Sequence, residues 1–186
     1  ALPICKQIEA TNEPKAAQRE NKPDYVVRKA SSLVGFVEAK DIGIELKATL
    51  KTPQLKRYLE ALPNLIVTNY VDFVWLVRGE KRMEVSLGTV GGKTIQAAPD
   101  AQARWDELIS SFIAEVTPTV DTPKLLAQTL GGQTRLLRDL VNELVTLKDP
   151  DLTDQLRTFQ TLLLPDLKPE EFADMYAQTA AYGHFG

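Results

Sequence analysis

The run Pro23-Asp24-Tyr25-Val26-Val27, followed after a short polar break by Leu33-Val34-Gly35-Phe36-Val37-Glu38-Ala39-Lys40-Asp41, decides how this chain is read. Both runs are rich in β-branched and aromatic residues, so they read as two strands joined by a turn. The second is unusual because Glu38 and Lys40 interrupt an otherwise apolar series. Side chains alternate across a strand, which projects Glu38 and Lys40 from one face, beside a neighbouring strand that begins at Asp24. Val34, Phe36 and Val37 put apolar groups on both faces, as an inner strand requires. Burying charge in such a strand is costly unless the charges are paired or bind a metal.

Outward from this pair, Lys6 to Glu13 is a further β-prone run, and with Asp24 to Lys29 and Leu33 to Lys40 it predicts a three-strand meander. Thr52-Pro53 offers an N-cap followed by proline at the first helical position, so Gln54 to Leu62 is predicted to be a crossover helix that Pro63 stops. Leu65 to Tyr70, Phe73 to Arg78 and Met83 to Val90 resume the strand pattern, with turns at Asn69 to Asp72, Gly79-Glu80 and Gly91-Gly92. Residues 1–95 therefore read as an α/β unit. After Pro99 the apolar spacing becomes helical, first in Trp105, Leu108, Ile109, Phe112 and Ile113, then in Leu136, Leu137, Leu140, Val141, Leu144 and Val145. Helix starts at Thr122-Pro123, Asp151 to Thr153 and Lys168-Pro169-Glu170-Glu171 bring the expected number to about five helices over residues 96–186.

Composition narrows the chemistry. The 186 residues carry 22 Lys and Arg against 25 Asp and Glu, a net charge of -3, unlike a histone-like protein coated in basic residues. The single cysteine, Cys5, excludes an internal disulfide and favours a reducing, cytoplasmic setting. The single histidine, His184, lies two residues from the end, so a His-based triad or a His-rich zinc site is not expected and carboxylates and lysine must carry any catalysis. No apolar run approaches the roughly 20 residues that span a bilayer, and the start at Ala1 lacks the layout of a signal peptide, so neither embedding nor export is expected. Without an initiator Met, and with an end at Tyr182-Gly-His-Phe-Gly186 inside a helical pattern, the chain reads as a piece of a longer one.

Asp24 and Glu38 suit Mg²⁺, which prefers hard oxygen ligands and often takes only one or two carboxylates, leaving positions for water and phosphate oxygens. The backbone carbonyl of Ala39 offers a third oxygen, and Lys40 would orient water or stabilise charge on a phosphate, so the reaction implied is phosphodiester hydrolysis. A solvated edge pair is the other reading of Glu38 and Lys40. Lys47, Lys51, Lys56 and Arg57 suit DNA phosphates or a solvated helix face equally well. Asp41 and Glu45 read as solvated acids before they read as ligands of a second metal. Gly91-Gly-Lys-Thr94 reads as a β-turn, since the first glycine of a phosphate-binding loop would fall at Leu87. Trp75 and Trp105 are expected in the core, and Cys5 and His184 have no partner in the pattern.

Pro23-Asp24 with Glu38-Ala39-Lys40 resembles the PD-(D/E)xK nuclease superfamily, and Gln54-Leu-Lys-Arg-Tyr58 resembles the Gln-x-x-x-Tyr element of its Mrr-like and RecB-like branches. Val37 to Gly43 and Gln54 to Asn64 are similar to the amino-terminal nuclease domain of fused restriction-modification enzymes of type ISP and type IIG-like kinds. Glu170 to Gly183 resembles the segment joining such a nuclease to its adenine-specific DNA methyltransferase region. The resemblance implies a restriction-endonuclease-like mixed sheet with a crossover helix over 1–95, then an all-α connector over 96–186. It also implies a Mg²⁺-dependent endodeoxyribonuclease, with Mn²⁺ as a substitute, acting on double-stranded DNA in a bacterial or archaeal cytoplasm as part of phage defence. In that frame Gln54 and Tyr58 support the site or contact DNA, and dimerisation on DNA is one arrangement left open by it. The methyltransferase, its S-adenosylmethionine and target recognition belong to a downstream region, because no Asn-Pro-Pro-Tyr-type motif occurs here. A further departure is that the family's helix before the first strand, with its acidic or Gln residue, is missing. Two other readings compete: a non-catalytic nuclease-like DNA-binding or interdomain docking module, and a structural segment in which Asp24, Glu38 and Lys40 point apart.

Overall fold

Leu65 to Thr68 and Phe73 to Val77 are too short for helices and too apolar for a surface, which leaves the middle of a sheet. The computed structural model, which describes residues 8–12, 22–30, 32–92, 94–115 and 123–183, places them there. Strands β1 (Ile8–Asn12), β2 (Tyr25–Lys29), β3 (Ser32–Ala39), β4 (Asn64–Thr68), β5 (Asp72–Val77) and β6 (Glu80–Ser86) form one sheet in that spatial order. Neighbours are antiparallel except β3 and β4, which are parallel, so the chain between them must cross one face. Helices α1 (Leu46–Thr49) and α2 (Pro53–Ala61) make that crossing.

Helix α2 begins where Thr52 accepts a hydrogen bond from the Leu55 N–H at 3.4 Å, with Pro53 in the first turn. Its buried Leu55, Tyr58 and Ala61 pack on Leu65, Val67, Val74 and Leu76 of the sheet. On the opposite face, α3 (Ala101–Ala114) packs Leu108 and Phe112 against Val27, Val34, Ile66 and Trp75. The approach is closest at Gly35, where an added Cβ would lie 2.6 Å from the Asn64 carbonyl and 2.8 Å from the Phe112 ring. The buried Asn64 side chain ties this face together. Its amide donates to the carbonyls of Val34 at 2.9 Å and Phe112 at 3.1 Å, and its oxygen accepts the Trp75 indole N–H at 2.7 Å.

Helices α4 (Pro123–Thr146), α5 (Pro150–Leu162) and α6 (Pro169–Gly183) share a separate core of Val141, Val145, Leu152, Leu156, Phe172 and Ala173. This core is joined to the sheet through α2. An added Cβ at Gly132 would lie 2.5 Å from the Glu60 carbonyl, and Arg135 pairs with Glu60 at 2.9 Å.

The mixed sheet, the crossover helix and the helical remainder agree with the α/β class expected from the sequence. Four details differ. The predicted strand Met83 to Val90 breaks at Leu87, whose N–H turns to the Val71 carbonyl, and β7 (Gly88–Gly91) pairs instead with β8 (Thr94–Ala97). Four helices rather than about five are described beyond Pro99, and α4 runs without a break through Gly131-Gly132; a glycine costs a helix only about 1 kcal/mol, and Gly132 permits the contact with α2. Helix α5 starts at Pro150, capped by Asp149, which accepts from the Leu152 N–H at 3.4 Å. Trp105 is 37% exposed, its ring edge-on to Phe73, instead of lying in the core, whereas Trp75 is buried. Cys5, His184, Thr122 and the ends of the predicted Lys6 to Glu13 strand lie outside the described residues. Helix α3 follows residue 96, yet its apolar face belongs to the sheet's core. No described helix is long and apolar enough to cross a membrane.

The Gly35 contact yields a stability prediction. Gly35→Ala must push β3 away from Phe112 and the β4 backbone, so it is expected to destabilise the fold by about 1–3 kcal/mol, read as a lower urea midpoint.

Candidate functional site

Strands β3 and β4 end side by side, and the Lys40 N–H carries their pairing one step further by donating to the Thr68 carbonyl at 2.7 Å. Phe36 packs with the α2 cluster, and Glu38, two residues on, shares its face. Glu38 is wholly buried. Its Oε1 accepts from the Lys40 ammonium at 2.7 Å, and Lys40, 23% exposed, keeps a path to solvent. The same ammonium donates to Gln54 Oε1 at 3.3 Å, and Gln54 Nε2 donates to the Tyr58 hydroxyl at 3.4 Å. Gln54 and Tyr58 are four apart on α2 and therefore adjacent on its surface.

Asp24 arrives from the other side. The β2–β3 register pairs Tyr25 with Val37, which sets Asp24 across from Glu38. Its Oδ2 accepts the Ala39 N–H at 2.8 Å. A strand residue's N–H and C=O point to the same side, so the Ala39 carbonyl faces the edge on which Asp24 lies. Asp24, Glu38, Ala39, Lys40, Gln54 and Tyr58 thus occupy one end of the sheet and one face of α2.

Burial first, and the Glu38 carboxylate second, push the Tyr58 phenol far above its ordinary value of 10.0, while the Gln54 hydrogen bond acts in the opposite sense. Tyr58 therefore stays a neutral hydroxyl.

The side chains around the site sort differently. Asp41, Glu45, Lys47, Lys51 and Lys56 are exposed. Arg57 turns toward α4, its Nε 3.7 Å from Asp139. Gly91 and Thr94 close the β7–β8 turn through a 2.9 Å hydrogen bond from the Thr94 hydroxyl to the Gly91 carbonyl, between two antiparallel strands where no phosphate-binding helix follows.

The turn after β4 was not foreseen as part of this end of the molecule. Asn69 Oδ1 accepts from the N–H groups of Val71 at 3.0 Å and Asp72 at 2.6 Å, and its Nδ2 donates to the Ile44 carbonyl at 2.9 Å. That last bond ties the loop after β3 to the turn after β4. The local signal was Asn69 followed by Asp72, a spacing typical of side-chain-capped turns, but its reach to Ile44 has no local signature.

Among the described residues no group of three or more His, Cys, Asp or Glu side chains comes together. Two carboxylates and a backbone carbonyl are nevertheless hard oxygen donors of the kind Mg²⁺ takes when water and phosphate oxygens complete its shell. The donor set at Asp24, Glu38 and Ala39 fits such an ion.

No family model matches this chain, and no curated protein matches it. Among solved structures it is similar to a chain described as "cryoEM structure DrdV-DNA complex", at 17% identity and a TM-score of 0.42. The match covers 97% of this chain and 18% of that one.

The state of Tyr58 sets a pH dependence. Its folded pKa is raised, so its contribution to stability is full below pH 10, the unfolded value, and is lost as pH rises beyond it, by about 1.4 kcal/mol per pH unit for one group. Tyr58→Phe is expected to flatten the fall in stability above pH 10, measured as urea midpoints from pH 8 to 11.

Proposed function

We propose that this chain is the divalent-metal-dependent endodeoxyribonuclease unit of a restriction-modification enzyme and hydrolyses phosphodiester bonds in double-stranded DNA. The observation that carries this reading is the Lys40 ammonium held between the buried Glu38 carboxylate and Gln54, with Asp24 across the strand pair at Ala39. A buried ion pair is seldom better for stability than apolar side chains of the same volume, so its retention at an open sheet end favours chemistry.

Asp24, Glu38 and the Ala39 carbonyl would hold Mg²⁺, or Mn²⁺ in its place. When bound, such an ion supplies positive charge at the phosphate and acidifies water. Lys40 contributes a positioned ammonium beside the reacting phosphate, where it stabilises charge that builds in the transition state. Gln54 fixes the direction of that ammonium, and Tyr58, kept protonated, fixes Gln54. Exposed Lys47, Lys51 and Lys56 on the crossover provide phosphate contacts. With a net charge of -3 and few basic residues concentrated at this edge, the affinity for DNA is weak. Target recognition, the S-adenosylmethionine-dependent methyltransferase and pairing of two copies on DNA complete the proposal, the first two in a downstream region.

Supercoiled plasmid at low salt with Mg²⁺ or Mn²⁺ tests this. The chain is expected to nick it, chelation to stop the reaction, and Asp24→Asn, Glu38→Gln and Lys40→Ala each to slow it by at least about 100-fold. Equal nicking by all three variants would overturn the assignment. DNA binding without nicking by the unaltered chain would favour the non-catalytic module.

A further inference from the structure

Tyr70 sits in the turn after β4 with φ of 70°, a left-handed conformation that is uncommon for a bulky side chain. The turn is built to hold it there. The Tyr70 N–H donates to the Thr68 hydroxyl at 2.8 Å, that hydroxyl donates to the Asp72 carbonyl at 2.8 Å, and the Asn69 side chain binds the next two N–H groups. Thr68 and Asn69 are buried, yet the ring they support is 55% exposed. A strained backbone that displays an aromatic ring instead of burying it gains nothing in packing.

The location explains the arrangement. The carbonyl of Thr68, two residues earlier, accepts the Lys40 N–H, and Tyr70 lies beside Tyr25, the neighbour of Asp24. Ile42 and Ile44, 50% and 46% exposed, lie on the adjoining loop that Asn69 ties to the same turn. An aromatic ring and two aliphatic side chains thus rim the place that a phosphodiester must reach to meet Lys40. Sugar and base, not phosphate, are the parts of a DNA strand that such groups suit.

We propose that Tyr70 contacts substrate directly, its ring stacking on a base displaced beside the scissile phosphate, with Ile42 and Ile44 as the apolar wall next to it. This rests on the nuclease reading above. The base at the cut step would leave the helical stack on binding, so the chain would read how easily a step unstacks as well as where its phosphate lies.

The test is binding of a duplex containing 2-aminopurine, with Ca²⁺ in place of Mg²⁺ so that cutting does not intrude. The unaltered chain is expected to bind and to raise the probe's fluorescence as the base unstacks. Tyr70→Gly removes the ring while relieving the left-handed backbone, so its melting temperature should equal or exceed that of the unaltered chain, while affinity falls about tenfold and the fluorescence rise disappears. Tyr70→Phe should keep both. Unaltered affinity and fluorescence in Tyr70→Gly would overturn the proposal and leave the nuclease reading standing. A loss in Tyr70→Phe as large as in Tyr70→Gly would assign the effect to the hydroxyl and overturn stacking. Failure of the unaltered chain to bind DNA would overturn both readings.

Discussion

The Glu38 carboxylate has no access to solvent, and the ammonium that balances it comes from two residues on, just past the end of β3. Removing a carboxylate from water costs several kcal/mol even after relaxation, and a single ion pair rarely recovers it. The fold answers by bringing polar groups to this point from α2. Gln54 reaches Lys40 and Tyr58 reaches Gln54, which requires that α2 lie flat on the sheet with its first two turns over the end of β3. That placement in turn requires the crossover, and the crossover exists because β3 and β4 are parallel. One buried charge thus depends on the only parallel pairing in the sheet described here.

The two faces of the sheet serve this end differently. On the α3 face the requirements are steric and polar at once: Gly35 admits Phe112, and Asn64 holds β3, α3 and β5 to one another through three hydrogen bonds. A half-satisfied amide there would cost about 1–3 kcal/mol, so the three elements are fixed as a set. On the α2 face the helix is clasped between the sheet and α4, at Gly132 against the Glu60 backbone and at Arg135 on Glu60. The helix that bears Gln54 and Tyr58 therefore also anchors the α-helical part. A displacement of α4 would be felt at α2 before it was felt anywhere in the sheet.

What could be read from the sequence was what depends on neighbours in the chain. Period-two alternation puts Glu38 and Lys40 on one face, Thr52-Pro53 starts α2, and the unbroken apolar runs at Leu65 and Phe73 belong to inner strands. What escaped depends on partners far along the chain. Asn64 looks like a polar residue at a strand start until Val34, Phe112 and Trp75 surround it. Leu87 looks like mid-strand until its N–H finds Val71. Gly132 has no local reason to be glycine until the backbone of α2 fills the space a side chain would have taken. Tyr70 is a different case, since a tyrosine where glycine would be cheaper contradicts the local rule, and conflicts of that kind gather at functional sites.

Topology explains why so many separate segments meet at one edge. Parallel strands finish at the same end of a sheet, so the chain leaving β3 and the chain leaving β4 emerge together, and Asn69 can bind Ile44 across the gap. Strand β2 runs antiparallel to β3 and begins where β3 ends, which delivers Asp24 and Tyr25 to that edge. Helix α2 enters over it with Gln54 in its first turn. Any ligand at the carboxyl ends of β3 and β4 would therefore meet carboxylates, an ammonium, an amide and exposed apolar side chains without the chain bending to reach it. With a net charge of -3, long-range attraction contributes little to holding an anionic polymer. If the proposed nuclease reading holds, retention of DNA would come from contacts made at this edge, a combination of local phosphate pairing and apolar surface that a count of basic residues would not reveal.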